Sequence, residues 1–217
     1  MHITVEQTLE MPNAVLFVRK VEAALEAEQK KRQHFYEIVE ENKKMEFING
    51  EIIFHSPVRL QHNSATKLLC KLLDTFVIKH NLGFVGIEKI MISLTRNDYE
   101  PDICFFGSDK AKNFTSKQAQ FPAPDFIVEV LSDSTEKNDR QTKFQDYAAH
   151  GVTEYWIVDA DKKVVEQYFL QDEQYELLLK AKDGEIESVV LADFKIPIRA
   201  IFDETENLKA LANLISE

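Results

Sequence analysis

Between residues 124 and 159 two apolar runs, "PDFIVEVL" and "TEYWIVD", are joined by a polar stretch with no glycine or proline before Gly151, "SDSTEKNDRQTKFQDYAAHG". Each run has the length and β-branched content of a strand. The stretch between them has the composition of a helix, with Asp133 and Glu136 spaced as a capping box and Gly151 where a helix commonly stops. Two strands joined through a helix pair in parallel by a crossover, and a parallel pair needs cover on both faces. This one segment therefore restricts the chain to an α/β architecture, with a central mixed β-sheet flanked by helices.

The other elements fit round that unit. "MEFINGEIIF" carries Asn49-Gly50 between two short apolar runs. Asn-Gly supplies positive φ at both central positions of a type I′ turn, so a β-hairpin is expected over residues 45–54. Leu68, Leu69, Leu72, Leu73 and Phe76 recur at helical spacing within residues 58–81 and predict an amphipathic helix ended by Asn81 and Gly83. "GFVGIEKIMISL" reads as one or two strands and "PDICFF" as another, with a loop or short helix over 107–121. Residues 20–42 are rich in Ala, Glu, Lys and Gln and predict a surface helix, with a strand near "AVLFVR" before it. After residue 163 the alternating "KVVEQYFLQDEQYELLLKAKDGEIESVVL" predicts a C-terminal β-meander with a turn at Asp183-Gly184, and "DETENLKALANLISE" a short closing helix. The expected organisation is a largely helical N-terminal extension (residues 1–34), a single domain (35–205) and the closing helix (206–217).

Two carboxylates stand out against this pattern. With a strand period of two, Asp102, Cys104 and Phe106 share one face of "PDICFF", and Ile103 and Phe105 the other. In "DFIVEVL" Asp125, Ile127, Glu129 and Leu131 share a face, opposite Phe126, Val128 and Val130. Glu129 thus lies between large aliphatic neighbours, where an unpaired charge costs several kcal/mol. It must meet an Arg or Lys, reach water at the sheet end, or bind a cation. Asp102 admits the plainer account that it starts a strand after Pro101. Hard oxygen ligands on neighbouring strands suit Mg²⁺ or Mn²⁺. Lys143 follows on the next helix, with Asp139 four residues before it and Tyr147 four after, on one helical face. The residues alone leave two roles for it: an exposed i,i+4 pair, or a cation facing the carboxylates.

The ordered set of Pro101-Asp102, Glu129 in "VEVLS", then Asp139, Lys143 and Tyr147, then "GVTEYWIVD" resembles the Uma2 family, also called DUF820. "MEFINGEII" and His62 near the start of the long helix agree with it. The likeness runs over about residues 30–205. It implies a restriction-endonuclease-like PD-(D/E)XK core and a metal-dependent endonuclease that hydrolyses DNA phosphodiester bonds; the cytoplasmic location expected for the chain comes from its two unpaired cysteines. On that resemblance Asp102 and Glu129 bind the divalent ion (Mg²⁺ or Mn²⁺), with the Val130 backbone carbonyl as a further ligand. The lysine expected two residues after Glu129 is replaced by Leu131, so the resemblance assigns its role to Lys143. Glu46, His62 and Tyr147 become further substrate-contact candidates, whereas Glu51 reads as a solvated residue beside a turn. Room is also left for a homodimer that cuts two strands, with the N-terminal helix available for the contact.

Composition limits these readings. The 217 residues carry 26 Lys and Arg against 37 Asp and Glu, a formal net charge of −11, which argues against broad non-specific attraction to nucleic acid. A bound metal or a local basic face is compatible with that balance. Together with the displaced lysine, the acidity favours an alternative: a nuclease-fold protein that binds a partner or nucleic acid without cutting. A metal-dependent hydrolase of another substrate is a third reading. No run approaches about 20 apolar residues and no leader is evident, so no membrane partner is expected. Cys70 and Cys104 lack metal-ligand spacing and read as buried thiols. Tyr155 and Trp156 read as core aromatics, and Ser132 and Ser134 as helix caps rather than nucleophiles.

Overall fold

In the computed structural model, which describes residues 4–39 and 43–216, the chain folds as two units, Met1–His55 with Thr95–Asn97, and Ser56–Leu94 with Asp98–Glu217. The first holds helices α1 (Val5–Leu9) and α2 (Ala14–Ile38) and the hairpin strands β1 (Met45–Ile48) and β2 (Glu51–Phe54). Asn49 and Gly50, at φ of 51° and 83°, form the expected hairpin turn. The strand expected near "AVLFVR" is instead the first turn and a half of α2. An isolated strand there would leave its backbone N–H and C=O groups without ladder partners, whereas a helix pairs them internally. Of α2 only Arg32 and Phe35 are buried. Arg32 donates to the carbonyls of Thr95 (3.1 Å) and Asn97 (3.3 Å), which ties that short segment to the helix. The expected end of this helix, at residues 40–42, lies outside the described residues.

The second unit opens with α3 (Leu60–His80), stopped by Asn81 in the left-handed conformation at φ 54°. There follow β3 (Gly83–Ile87), β4 (Met91–Ser93), β5 (Asp98–Tyr99), β6 (Ile103–Gly107), α4 (Ser108–Ala111), β7 (Gln120–Phe121) and β8 (Phe126–Val130). Then come α5 (Glu136–Arg140), α6 (Thr142–Ala149), β9 (Glu154–Asp159), β10 (Val164–Gln171), β11 (Gln174–Ala181), β12 (Glu185–Glu187), β13 (Lys195–Pro197), a 3-10 turn (Ile198–Ile201) and α7 (Glu204–Ser216). Six strands make the main sheet in the order β11-β10-β9-β8-β6-β3. The β8–β9 pair is parallel, as the strand–helix–strand order requires, and every other pair in this sheet is antiparallel. The sheet is therefore mixed. β4 pairs with β5 antiparallel and with β7 parallel.

Residue alternation gives the sheet two unlike faces. Ile103, Phe105, Phe126, Val128, Val130, Trp156 and Val158 point into the main core, packed with Leu69, Leu72, Leu73 and Phe76 of α3. The opposite face carries Asp102, Cys104, Glu129, Tyr155 and Glu166. It meets α5 and α6, whose side chains bond to Glu129 and Glu166. Trp156 is fully buried, its ring centroid 5.0 Å from that of Phe126.

Three local expectations are corrected. The helix expected over 132–151 is broken at Gln141 (φ −124°, ψ −74°) into α5 and α6. Arg140 before the break is held by Glu166 on β10 and Lys143 after it by Glu129 on β8, and one straight helix does not serve both. The Asp133 capping box does not form: the N-cap of α5 is Thr135, with no side-chain capping bond. Ser132 Oγ lies 3.2 Å from Ser134 Oγ and 2.9 Å from Thr135 Oγ1, so these hydroxyls meet one another instead of helix N–H groups. A second hairpin turn has no signal in the sequence. Asp172 and Glu173, at φ of 47° and 64°, join β10 to β11, a positive-φ pair without the glycine that advertises one.

Candidate active site

Ile103 of β6 stands opposite Val128 of β8. One step further along the antiparallel register Asp102 faces Glu129. Directly opposed residues project from the same face, with Cβ atoms about 5 Å apart. The two strand carboxylates thus belong to directly opposed residues of neighbouring strands. Asp102 Oδ2 accepts the Val130 backbone N–H at 2.8 Å and lies 3.3 Å from His62 Nε2. Glu129 Oε1 accepts from both Lys143 Nζ and the Tyr147 hydroxyl, each at 2.9 Å. Lys143 Nζ is also 3.3 Å from Asp139 Oδ1 and 5.7 Å from the centre of the Tyr99 ring. The Asp139 carbonyl accepts from the Tyr155 hydroxyl at 3.1 Å, which holds the end of α5 against β9.

Burial decides between the two roles left open for Lys143. Asp102, Glu129, Asp139 and Lys143 are 4%, 3%, 1% and 2% exposed. The lysine is therefore no surface i,i+4 partner; it is a buried cation shared by carboxylates from a strand and a helix. Neighbouring groups register the field. Burial, then the charges of Glu129 and Asp139, push the Tyr155 hydroxyl well above its ordinary range. Burial likewise raises the Cys104 thiol, with Glu129 adding to it, and raises Cys70 to about 11. Neither thiol is a nucleophile at neutral pH. In the native protein at pH 8 iodoacetamide is expected to leave Cys104 unmodified, and peptide mass spectrometry should find it labelled only after denaturation. Native labelling of Cys104 at the rate of a free thiol would contradict the buried environment described.

His62 is in the first turn of α3, 7% exposed, and lines a cleft of about 200 Å³ with Arg59, Gln61, Leu131, Ser132 and Ala160. Tyr147 is fully buried beside Glu129. Glu46 belongs to the other unit, buried on β1 with its carboxylate 2.9 Å from His55 Nε2. Glu51 is exposed at the hairpin and paired with Lys31. Asp102, Glu129, Val130, Lys143, Tyr147 and His62 are thus gathered in one place. Tyr155, expected only as a core aromatic, joins them, as does Tyr99, for which nothing was expected. Their signal, aromatics beside Pro101-Asp102 and in "EYWIVD", is the same as that of any core strand.

A second ion cluster lies along the same cross-strand row. Glu129 and Glu166 both stand opposite Ile157. Arg140 grips Glu166 with two hydrogen bonds (2.9 and 3.1 Å), Tyr168 donates at 2.6 Å and Lys180 Nζ is 3.1 Å away. Burial alone would raise the Glu166 carboxyl, but those donors outweigh it and hold it down at about 2, against 4.5 for the free side chain. Between these values the unfolded chain binds the proton first, so the stabilisation is complete above about pH 4.5 and vanishes as pH falls toward 2. The gap in urea midpoint between wild type and Glu166→Gln should therefore be wide at pH 7 and narrow by pH 3. A gap that stays constant with pH would refute the cluster's ionic character.

Comparison with known proteins fits this architecture. The model of the Uma2 family, whose description reads "Putative restriction endonuclease", matches residues 32–199. The chain belongs to the Uma2 family. A relative from Synechocystis sp., named "Uncharacterized protein sll1609", is 30% identical over 148 residues, 66% of this chain and 83% of that protein. Among solved structures, one described as "a putative nuclease belonging to DUF820", from Anabaena variabilis, matches with a TM-score of 0.68 at 18% identity, over 80% of this chain and 96% of that one. The Uma2 chain has the restriction-endonuclease-like fold, and every residue of the Asp102–Glu129 cluster falls inside the family match. Helix α1 and all of α2 before Arg32 fall outside it.

Proposed function

We propose that this Uma2 protein is a divalent-metal-dependent endonuclease that hydrolyses DNA phosphodiester bonds at the Asp102–Glu129 pair. The observation that carries the reading is the opposed placement of these two carboxylates on adjacent strands, inside a family whose description reads "Putative restriction endonuclease". Among the described residues no group of three or more His, Cys, Asp or Glu side chains is arranged as a metal cage. Mg²⁺ and Mn²⁺ take one or two protein carboxylates and complete their shell with water and substrate phosphate. Asp102 and Glu129 would hold the ion, with the Val130 carbonyl beside them. When bound, it supplies Lewis-acid polarisation of the phosphate and a more acidic water.

The chain's own groups then have defined tasks. The Val130 N–H and His62 fix the Asp102 carboxylate. Lys143 and Tyr147 fix Glu129, and Asp139 anchors Lys143 from the helix side. Lys143 is the cation available to orient a water or to offset charge developing on the phosphate. His62, at the wall of the cleft, is the group placed to meet substrate on its way to Asp102. Glu46, in the other unit, is not assigned a task.

Supercoiled plasmid incubated with Mg²⁺ or Mn²⁺ tests the proposal. Wild type is expected to nick or linearise it, EDTA to stop the reaction, and Asp102→Ala and Glu129→Ala each to abolish it. Equal cleavage by all three proteins would sink the assignment.

One observation favours a second reading, a nuclease-fold protein that binds nucleic acid or another partner without cutting. Both carboxylates are closed off from solvent, and Glu129 is already engaged by an ammonium. Calorimetric titration with Mn²⁺ separates the two readings: a working site takes up the ion, and a degenerate one does not.

A further inference from the structure

The cleft beside His62 is the first of three recesses that share walls. The second, of about 270 Å³, shares Gln61 and Ala160 with the first. The third, of about 590 Å³, shares Lys163 and Phe202 with the second. They form one continuous groove. It starts where His62 touches Asp102, crosses the carboxyl ends of the parallel strands β8 and β9 at Leu131 and Ala160, and ends among Lys162, Lys163, Lys182 and Arg199. Open α/β sheets place ligands outside the carboxyl ends of their parallel strands.

The far end of this groove carries Lys162, Lys163, Lys182 and Arg199 against Asp183, Asp203 and Glu206, whereas its near end holds Arg59 beside Asp133 and Asp161. Acidic groups at its far end are already engaged: Asp159 pairs with Lys162, Asp183 with Arg199 and Glu206 with Lys209. Asp203 accepts the backbone N–H groups of Thr205 and Glu206 at the start of α7. Lys163 and Lys182 form no ion pair with any described residue. A protein of net charge −11 thus keeps two ammonium groups without an ion-pair partner, Lys163 facing the more distant charge of Asp203, at the end of a groove that leads to its carboxylate site.

We propose that this groove binds the phosphodiester backbone of a nucleic acid, with Lys163 and Lys182 each taking a phosphate on one side of the bond to be cut. The proposal rests on the nuclease reading of the Asp102–Glu129 site and adds the path by which the polymer reaches it. It also answers the objection from acidity, since binding requires only a local basic track.

The test is fluorescence anisotropy of a labelled DNA duplex in Ca²⁺ buffer over a salt series. It compares wild type, Lys163→Glu/Lys182→Glu, and a control with the same charge change, Lys112→Glu/Lys117→Glu. The groove variant is expected to bind at least about tenfold more weakly, with the slope of log affinity against log salt reduced by about one per lysine. The control should stay near wild type. Binding by the groove variant equal to wild type, or an equal loss in the control, would overturn the groove while leaving the nuclease reading intact. No binding of duplex DNA, single-stranded DNA or RNA by the wild type would overturn both.

Discussion

Lys143→Met is expected to cost about 3–5 kcal/mol of folding stability, the range for breaking a buried pair by removing one partner. The side chain is 2% exposed and lies between Glu129 Oε1 at 2.9 Å and Asp139 Oδ1 at 3.3 Å. Methionine fills nearly the same volume, so the loss isolates charge from packing. Tyr147 still donates to Glu129, but a neutral hydroxyl does not offset a carboxylate held away from water. The double variant Lys143→Met/Glu129→Gln should recover part of the loss, because an uncharged amide needs no counter-ion there. Urea unfolding of the four proteins gives the coupling directly. A single-variant cost under about 1 kcal/mol, the size of an exposed pair, would mean that water reaches the cluster.

Glu154→Ala should be as damaging, for a different reason. This carboxylate is fully buried at the start of β9 and its two oxygens accept five hydrogen bonds. Trp156 Nε1 (2.6 Å) and Gln167 Nε2 (2.7 Å) donate to one oxygen. The Ser188 hydroxyl (2.6 Å) and the Val189 and Val190 N–H groups (2.9 and 3.0 Å) donate to the other. Removing it strands several buried donors at about 1–3 kcal/mol each, so a loss of roughly 4 kcal/mol or more is expected after relaxation. Ser188→Ala removes one of those donors and the acceptor of the Leu191 N–H (3.0 Å), and should cost less, about 2 kcal/mol. The ratio of the two losses, read from thermal or urea midpoints, checks the account. Equal losses would mean that the carboxylate does not organise the segment after β12.

Glu129, the partner of Lys143, and Glu154 mark the boundary of what the sequence could disclose. Glu129 was conspicuous because a carboxylate inside an aliphatic strand has few acceptable explanations. The strand period placed it on the face shared by Ile127, and the Asp139–Lys143–Tyr147 spacing pointed to its partner. The parallel β8–β9 pair followed from the strand–helix–strand order, and the Asn49-Gly50 turn from its positive φ requirement. Glu154 gave no such sign. It opens a strand, where a carboxylate is ordinarily solvated, and its five donors come from β9, β10 and the loop after β12, which only the fold brings together. The break at Gln141 was hidden for a related reason. Nothing local interrupts "EKNDRQTKF"; the interruption comes from the separate holds of Glu166 on Arg140 and Glu129 on Lys143. The helical start of α2 at Ala14 is not legible because a short apolar run carries no period by which to tell strand from helix.

The most direct test of the central claim is anomalous diffraction at the manganese edge from crystals grown with Mn²⁺. The account predicts a peak within coordination distance of both the Asp102 and Glu129 side chains, lost in Asp102→Ala. A peak elsewhere, or none at saturating Mn²⁺, would contradict it.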